Sequence, residues 1–255
     1  MHQLALLLRT LCVGLAGAVG AVAAAPAPAA VLDDFDRFSK PAGQNASGDE
    51  TVLATELGDV RRRLNGPGAF GGVVDVFWDG ASALRYGANV ADGASARVGI
   101  WYLAPDPVGT LDFSSLGDRL VFHFDQIFVR NLFEREATDL ELSVGWAINT
   151  APGPVQQLEL IPAERVDLGA LAAAGKRTAV VAFAAFEEFA DFDPSRVDTL
   201  FVTISSSAPP GSLGGLNEVG LDRVTVAPLP GALPLFATAA AGLGLWRMRR
   251  RIAGG

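Results

Sequence analysis

Between residues 31 and 226 the sequence is a succession of short apolar runs rich in Val, Ile, Phe and Trp, separated by clusters of Gly, Pro, Asp and Asn. Runs of this kind are typical of β-strands, and the clusters between them are typical of turns. From Leu140 to Val144 every second residue is apolar, which predicts a strand with one face on a core. The predicted strands are 73–78, 96–103, 120–124, 140–148, 155–161, 178–183, 200–204 and 219–226.

Helical signals are scarce in the same region, where residues 168–175 and a turn at 194–197 are the candidates. Glycine and proline clusters at 65–68 and 209–211 predict turns between strands. Eight or more short strands without helical crossovers predict an all-β fold, an antiparallel β-sandwich with the jelly roll as its leading version. Residues 31–226 amount to one domain's worth of chain, enough to bury a sizeable core.

The domain at 31–226 is strongly acidic. It contains all 28 acidic residues of the chain but 15 of the 20 basic ones, which leaves a formal charge of −13. The other basic residues lie at the two ends and are Arg9, Arg247, Arg249, Arg250 and Arg251. This balance disfavours a nucleic-acid partner and favours a soluble, acidic surface that is able to bind cations.

Residues 1–30 have the layout of a Sec signal peptide. A single charge, Arg9, precedes an apolar run at 11–25 and a small-residue stretch at 23–30. We expect export through the Sec translocon and cleavage between about 24 and 30. The one cysteine, Cys12, is removed with this segment, so the mature domain has no disulfide. Its stability must come from burial of the core, with a bound ion as an additional source.

The C-terminal segment, 227–255, contains a second apolar stretch. Residues 227–246 are uncharged and just long enough to cross a bilayer as a single transmembrane helix. Its prolines shorten the helical part, which makes it marginal as a permanent anchor. The arginine cluster behind it predicts an orientation with the domain outside the cytoplasm.

The order of motifs in this segment resembles the PEP-CTERM class of sorting signals in its VPLPA variant. The proline motif is Pro228, Leu229 and Pro230, and the basic cluster is Arg247, Arg249, Arg250 and Arg251. The resemblance implies an exosortase-type processing enzyme as partner, transient anchoring in the inner membrane, and delivery to the surface or extracellular matrix of a Gram-negative bacterium. The sequence departs from the family by reading Ala-Pro-Leu-Pro-Gly at 227–231. An ordinary tail anchor is the alternative.

Two segments with strand-like patterns lie at the ends of the domain, Val31-Leu32-Asp33-Asp34-Phe35 and Gly220-Leu221-Asp222-Arg223-Val224-Thr225-Val226. They resemble the first and last strands of galactose-binding-like jelly rolls, an architecture shared by many carbohydrate-binding modules. The resemblance implies a structural calcium site in which Asp33 or Asp34 acts together with Asp222. Calcium takes six to eight oxygen ligands, and carboxylates are common among them. Solvated acids flanking a strand are the alternative.

No catalytic constellation emerges, and the chain is predicted not to be an enzyme. His2 belongs to the signal segment, and His123 stands alone in a strand pattern. No Gly-x-Ser-x-Gly elbow or phosphate-binding loop accompanies it. Acid pairs occur at 134–136, 187–188 and 191–193, but a glycosidase needs two carboxylates at a defined spacing across a cleft, which adjacency in sequence does not establish.

Aromatic and basic residues supply the remaining binding candidates. Trp78, Trp101 and Trp146 are the candidates for a sugar-stacking platform if several of them share a sheet face, and core packing is the favoured alternative. Trp101 and its neighbour Tyr102 must point to opposite faces of a strand, so at most one of them can join a platform. The run 61–63 is three arginines, which fit either an anionic-polysaccharide contact or a salt-bridged face.

Two functional hypotheses remain from the sequence. The preferred one is a non-catalytic protein of the cell envelope or extracellular matrix that serves structure or adhesion. The alternative is a carbohydrate-binding module for extracellular polysaccharide, and a glycan-active enzyme is a distant third.

Overall fold

Two antiparallel sheets pack face to face and enclose a single hydrophobic core. The computed structural model describes residues 28–70, 73–106, 109–131, 138–150, 158–212 and 214–228. The predicted signal peptide and sorting tail lie outside the described residues, apart from 28–30 and 227–228. Among the described residues, no helix is long and apolar enough to span a membrane. The prediction of an all-β sandwich is confirmed.

The described residues form twelve strands and one α-helix. The strands are β1 (Ala30–Asp33), β2 (Glu50–Thr55), β3 (Gly58–Phe70), β4 (Val73–Trp78), β5 (Leu84–Val90), β6 (Ser95–Leu103), β7 (Arg119–Asn131), β8 (Asp139–Asn149), β9 (Leu158–Asp167), β10 (Thr178–Ala182), β11 (Val197–Ser207) and β12 (Gly215–Ala227). The helix is α1 (Leu168–Ala173), and short 3₁₀ turns lie at Phe113–Ser115 and Phe183–Phe186. Sheet I has the order β10-β7-β12-β5-β4, with β1 also paired to β12, and sheet II has the order β2-β3-β6-β11-β8-β9.

Each central strand divides its side chains between the core and solvent, because successive residues of a strand point to opposite faces. In β6 the buried residues are Ala96, Val98, Ile100 and Tyr102, and the positions between them face outward. The alternation predicted for 140–144 is confirmed in β8, where Leu140, Leu142 and Val144 are buried. The strands β6 and the first half of β8 thus contribute an inner row of side chains to the core and an outer row to the surface of sheet II.

A buried tyrosine joins the two sheets through hydrogen bonds. The Tyr86 hydroxyl, on β5 of sheet I, lies 3.0 Å from both the Ala96 carbonyl oxygen and the Ser206 hydroxyl of sheet II. Burial raises the pKa of Tyr86 to about 12. The phenol therefore stays protonated and keeps its hydrogen bonds across the core.

Several local predictions are confirmed and one is wrong. The strand at 73–78 and the helix near 168–175 are observed, and the Asp167 carboxylate caps α1 by accepting from the Ala170 amide at 2.8 Å. The predicted turn at 65–68 lies inside β3 instead. Between Asn65 and Gly68 the register against β6 shifts by one residue, so the Gly-Pro-Gly segment is accommodated as a β-bulge.

Candidate functional site

The acid predicted at the first strand, Asp33, lies in the core and is held by protein donors. Arg62 Nη1 lies 2.9 Å from Asp33 Oδ1 and 3.0 Å from Oδ2, and neither side chain is exposed. The Tyr102 hydroxyl donates to Oδ2 at 3.0 Å, and the Phe35 amide donates to Oδ1 at 2.9 Å. Burial raises the pKa of Asp33, while the charge of Arg62 and these hydrogen bonds oppose the rise. Both carboxylate oxygens are therefore already engaged.

The three acids predicted for calcium do not form one ligand set. Asp34 is half-buried, and its carboxylate accepts from the Asp36 amide at 3.4 Å. Asp222, on β12, faces outward and lies 3.4 Å from the Ser82 hydroxyl. No group of three or more His, Cys, Asp or Glu able to hold a metal ion occurs in the part of the chain that the structure describes. The residues thus do not fit a shared calcium site, because Asp33 points into the core against a guanidinium.

Aromatic rings surround the buried guanidinium of Arg62 and account for one of the predicted tryptophans. The Arg62 guanidinium carbon lies 4.1 Å from the Phe38 ring centroid and 5.3 Å from that of Phe35. Trp78 stacks on Phe38 with centroids 5.2 Å apart. Trp78 therefore helps to cover the buried ion pair and is not a free sugar platform.

Trp146 is wholly buried, so its assignment to a sugar platform is wrong. Its ring lies edge-to-face with Phe113, Phe183 and Phe186 at centroid distances of 5.4, 5.5 and 5.7 Å. The even-numbered residues of β8 face the core, and Trp146 follows that alternation. Core packing, the alternative weighed for the tryptophans, applies to this residue.

Trp101 alone of the three lies on an outer face that remains open, at the centre of sheet II. It is half-buried on β6, whereas Tyr102 is fully buried, as the alternation predicts. Phe201 of β11 is its cross-strand neighbour, and the rings meet edge-to-face at 5.4 Å and 89°. A Cβ built on Gly99 would lie 3.3 Å from the indole nitrogen, so the indole lies over this glycine.

The register places polar residues around the two rings. Across the strands of sheet II, Arg63 of β3 is paired with Trp101 on one side. On the other side Phe201 of β11 is paired with Trp101 and, in turn, with Gly145 of β8. Partly exposed hydroxyls from the neighbouring strands continue this face, and they belong to Thr203, Ser205, Ser207 and Ser143. We call this area, the outer surface of sheet II around Trp101 and Phe201, the Trp101 face. It combines an aromatic centre with hydroxyl and guanidinium donors.

The arginines of the Trp101 face differ in their pairing. Arg61 lies 3.4 Å from Glu50, and Arg165 lies 3.5 Å from Glu141. Arg63 and Arg97 are both exposed and form no ion pair or side-chain hydrogen bond with any residue that the structure describes. The three arginines at 61–63 thus differ in their partners. Arg61 forms a surface ion pair, Arg62 forms a buried ion pair, and Arg63 forms none with the described residues.

A groove lies on the outer face of sheet I. This groove of about 400 Å³ is lined by Val73, Asp75, Phe77, Arg85, Tyr86, Gly87, Ala88, Asn89, Gln126, Leu216 and Glu218. Arg85 is fixed between Asp79 at 2.8 Å and Asp125 at 2.6 Å. Because two carboxylates bracket that guanidinium and Asp75 and Glu218 add two more, the groove is acidic.

Among the residues that the structure describes, those considered for catalysis do not come together in a reactive group. His123 lies on β7 opposite Arg223, and its Nε2 is 3.4 Å from the Thr225 hydroxyl. Burial, followed by the charge of Arg223, lowers its pKa below 6.5. The acids at 134–136 lie outside the described residues, and Asp193 accepts from the Ser195 amide and hydroxyl. His123 is a sheet residue, as its strand pattern predicts.

Comparison with known proteins returns structures only at low similarity. No family model and no curated protein matches the sequence. A family 11 carbohydrate-binding module of the cellulase Lic26A-Cel5E of Clostridium thermocellum is 12% identical, covering 80% of this chain and 96% of that one with a TM-score of 0.32. A loop-swap mutant of Xyn11A from Necallimastix patriciarum is 7% identical, covering 72% and 96% with a TM-score of 0.35.

A module specific for non-crystalline cellulose, CBM28, is 11% identical and covers 59% of this chain and 78% of that one, with a TM-score of 0.33. At these sequence identities and TM-scores, the similarities do not identify a ligand or a reaction for this chain. The functional inference therefore depends on the surfaces of the sandwich themselves.

Two residues of the Trp101 face, Phe201 and Arg97, are absent from the residues singled out in the sequence. Both lie at outward positions of predicted strands, so their exposure follows from the alternation. Their proximity to Trp101 depends on β6 lying between β3 and β11, which is a matter of sheet order. A single sequence does not specify that order.

Proposed function

We propose that this chain is an exported, non-catalytic protein of the cell envelope or extracellular matrix whose β-sandwich binds polysaccharide on the Trp101 face. The observation that carries the proposal is the edge-to-face pair of Trp101 and Phe201, partly exposed at the centre of a polar sheet surface. Aromatic side chains provide large and rigid contact areas and are enriched among the residues that dominate binding energies.

The residues around Trp101 and Phe201 suit both the apolar ring face and the hydroxyl groups of a sugar. The apolar C–H face of a pyranose ring packs on an aromatic ring. Its hydroxyl groups exchange hydrogen bonds with Ser143, Thr203 and Ser205 or with Arg63. Because Gly99 carries no side chain, the Trp101 indole has room above it, whereas Gly145 at the end of the row is buried beside Ile161 and Ala163 of β9.

We also propose that the β-sandwich has the jelly-roll topology. Consecutive strands pass repeatedly between the sheets, as β5, β6, β7 and β8 do.

Export and delivery to the cell surface are proposed from the sequences of the two chain ends. We expect mature protein from the native host to lack residues 247–255, and intact-mass measurement of surface protein tests this, since retention of those residues would favour a plain membrane anchor.

The binding proposal is tested by affinity electrophoresis of the purified full chain through gels that contain different polysaccharides. We expect retardation by at least one polymer, loss of that retardation in Trp101→Ala, and its preservation in Phe77→Ala, which alters the groove of sheet I. The reverse pattern would move the site to the groove. Absence of retardation by every polymer would leave a purely structural or adhesive role, the preferred hypothesis from the sequence.

A further inference from the structure

We infer that the polysaccharide bound by the Trp101 face is acidic, a polymer that carries carboxylate groups, and that Arg63 and Arg97 select it. This inference rests on the proposed function and specifies its ligand class. The inference is carried by the ion pairs of this face: two of its guanidiniums have no ion-pair partner among the described residues, although the domain as a whole is acidic.

The first unpaired cation, Arg63, stands directly beside the aromatic centre. It is the cross-strand partner of Trp101, and partners in this position have Cβ atoms about 5 Å apart. Glu50 lies opposite Arg63 on the other side, yet its carboxylate contacts Arg61 at 3.4 Å. The Arg63 guanidinium is therefore next to a stacking surface and has no ion-pair partner among the described residues.

The second unpaired cation, Arg97, marks the other end of the same strand face. It precedes Trp101 by four residues on β6, which corresponds to about 13 Å along the strand. Its register neighbours are Gly68 of β3 and Ser205 of β11, neither of which is charged. Two cations thus lie along one strip with Trp101 at one end, an arrangement that suits a polymer carrying repeated negative charges.

Three acids of β8 and β9 on this face do not compensate these two cations, and the exposed Asp59 of β3 lies four residues from Arg63, about 13 Å along the strand. Glu141 pairs with Arg165 at 3.5 Å, and the Asp167 carboxylate caps α1 through the Ala170 amide. Asp139 accepts from the Ser207 hydroxyl at 3.4 Å. Each of these carboxylates has a partner within the protein, so the positive charge of Arg63 and Arg97 remains available to a ligand.

The chemistry of arginine favours carboxylate as the ligand group. A planar guanidinium matches a carboxylate with two parallel hydrogen bonds, and it is more weakly hydrated than an ammonium group. A neutral polymer would accept hydrogen bonds from these guanidiniums but would form no ion pair with them. Because both side chains are exposed, their contribution is screened by salt.

The experiment is affinity electrophoresis of the full chain in polygalacturonate gels and in hydroxyethyl cellulose gels, each at low and at high salt. We expect stronger binding to polygalacturonate, weakened about fivefold by Arg63→Gln and by Arg97→Gln. Binding of the double variant should lose most of its salt dependence. Arg119→Gln, which removes an arginine of sheet I that is already paired with Asp118 at 2.9 Å, is the matched control and should bind like the wild type.

The outcomes separate the ligand class from the proposed function. If Arg63→Gln and Arg97→Gln bind polygalacturonate like the wild type while Trp101→Ala does not, the inference is wrong and the polysaccharide site remains. Equal, salt-independent binding of both polymers would also overturn it, as would equal retention of single-stranded DNA, which would mark general polyanion binding. Absence of binding to both polymers in the wild type would overturn the inference together with the proposed function.

Discussion

Arg62 and Asp33 form an ion pair in the core of the sandwich, with neither side chain exposed to solvent. The pair joins β1 of sheet I to β3 of sheet II, and Tyr102 of β6 completes it by donating to the same carboxylate. A buried ion pair of this kind does not stabilise strongly by its mere presence, because both charges are desolvated. Losing one partner is nevertheless costly, since it leaves the other charge buried.

The first prediction compares neighbouring arginines. Arg62→Met should lower the free energy of unfolding by about 3–5 kcal/mol, because Asp33 would remain buried without its partner. Arg63→Met, at an exposed position, should change it by less than about 0.5 kcal/mol. Urea denaturation of both variants measures the difference, and similar losses in the two would contradict the buried pair.

The second prediction concerns calcium. Because Asp33 is occupied by Arg62, Tyr102 and the Phe35 amide, we expect a chelator to leave the melting temperature unchanged. Asp33→Asn should lower it, whereas Asp222→Asn should have little effect. Differential scanning calorimetry with and without chelator measures this. A chelator-induced drop that excess calcium restores would show that a calcium site exists.

The third prediction concerns two glycines of sheet I. A Cβ on Gly220 would lie 1.9 Å from Asp125 Oδ1 and 2.1 Å from Arg85 Nη1, so Gly220→Ala must displace their ion pair. We expect a loss of about 1–3 kcal/mol. Gly87→Ala, on the adjacent strand with open space around its Cβ position, is the control and should be neutral. Equal unfolding free energies for the two variants would argue against this packing.

The fourth prediction separates two tryptophans by their roles. Trp146→Ala should cost about 3–5 kcal/mol of stability, because it leaves a cavity among buried phenylalanine rings. Trp101→Ala should cost much less, since its ring is partly exposed, while it abolishes polysaccharide binding. Chemical denaturation and affinity electrophoresis of the same two variants give both readings. A larger stability loss for Trp101→Ala would contradict the assigned positions.

The fifth prediction concerns acid. Burial on its own would raise the pKa of Asp79, but hydrogen bonds from the Ala81 amide and Arg85 outweigh it and hold the pKa below 3.8. The stability that this carboxylate contributes is therefore present above its unfolded-state pKa and is lost as pH falls through the lower folded-state value. Asp79→Asn should be less stable than the wild type at pH 7, and the gap should narrow progressively as the pH falls below about 4.

Unfolding free energies measured across that pH range test the assignment. Asp59→Asn, which changes an exposed acid that forms no ion pair with the described residues, serves as the control. A gap between Asp79→Asn and the wild type that is the same at pH 3 and pH 7 would be incompatible with a depressed pKa.

Local sequence signals predicted the elements whose structure depends on neighbours along the chain. The alternation at 140–144, the strand at 73–78 and the helix that begins after Asp167 are all observed. The segment from Arg61 to Asn65 is not among the eight predicted strands, because its outward side chains are polar and Gly66-Pro67-Gly68 carries a turn signal. Pairing with both β2 and β6 overrides that local preference.

The sequence by itself determined the all-β class, the acidic balance of the domain and the parity that sends Trp101 and Tyr102 to opposite faces, because strand propensity, charge and side-chain alternation are properties of adjacent residues. The tertiary structure alone decided which of three consecutive arginines is buried against Asp33 and which of three tryptophans faces solvent. Those outcomes depend on sheet order and register, which bring together residues as distant along the chain as Trp101 and Phe201.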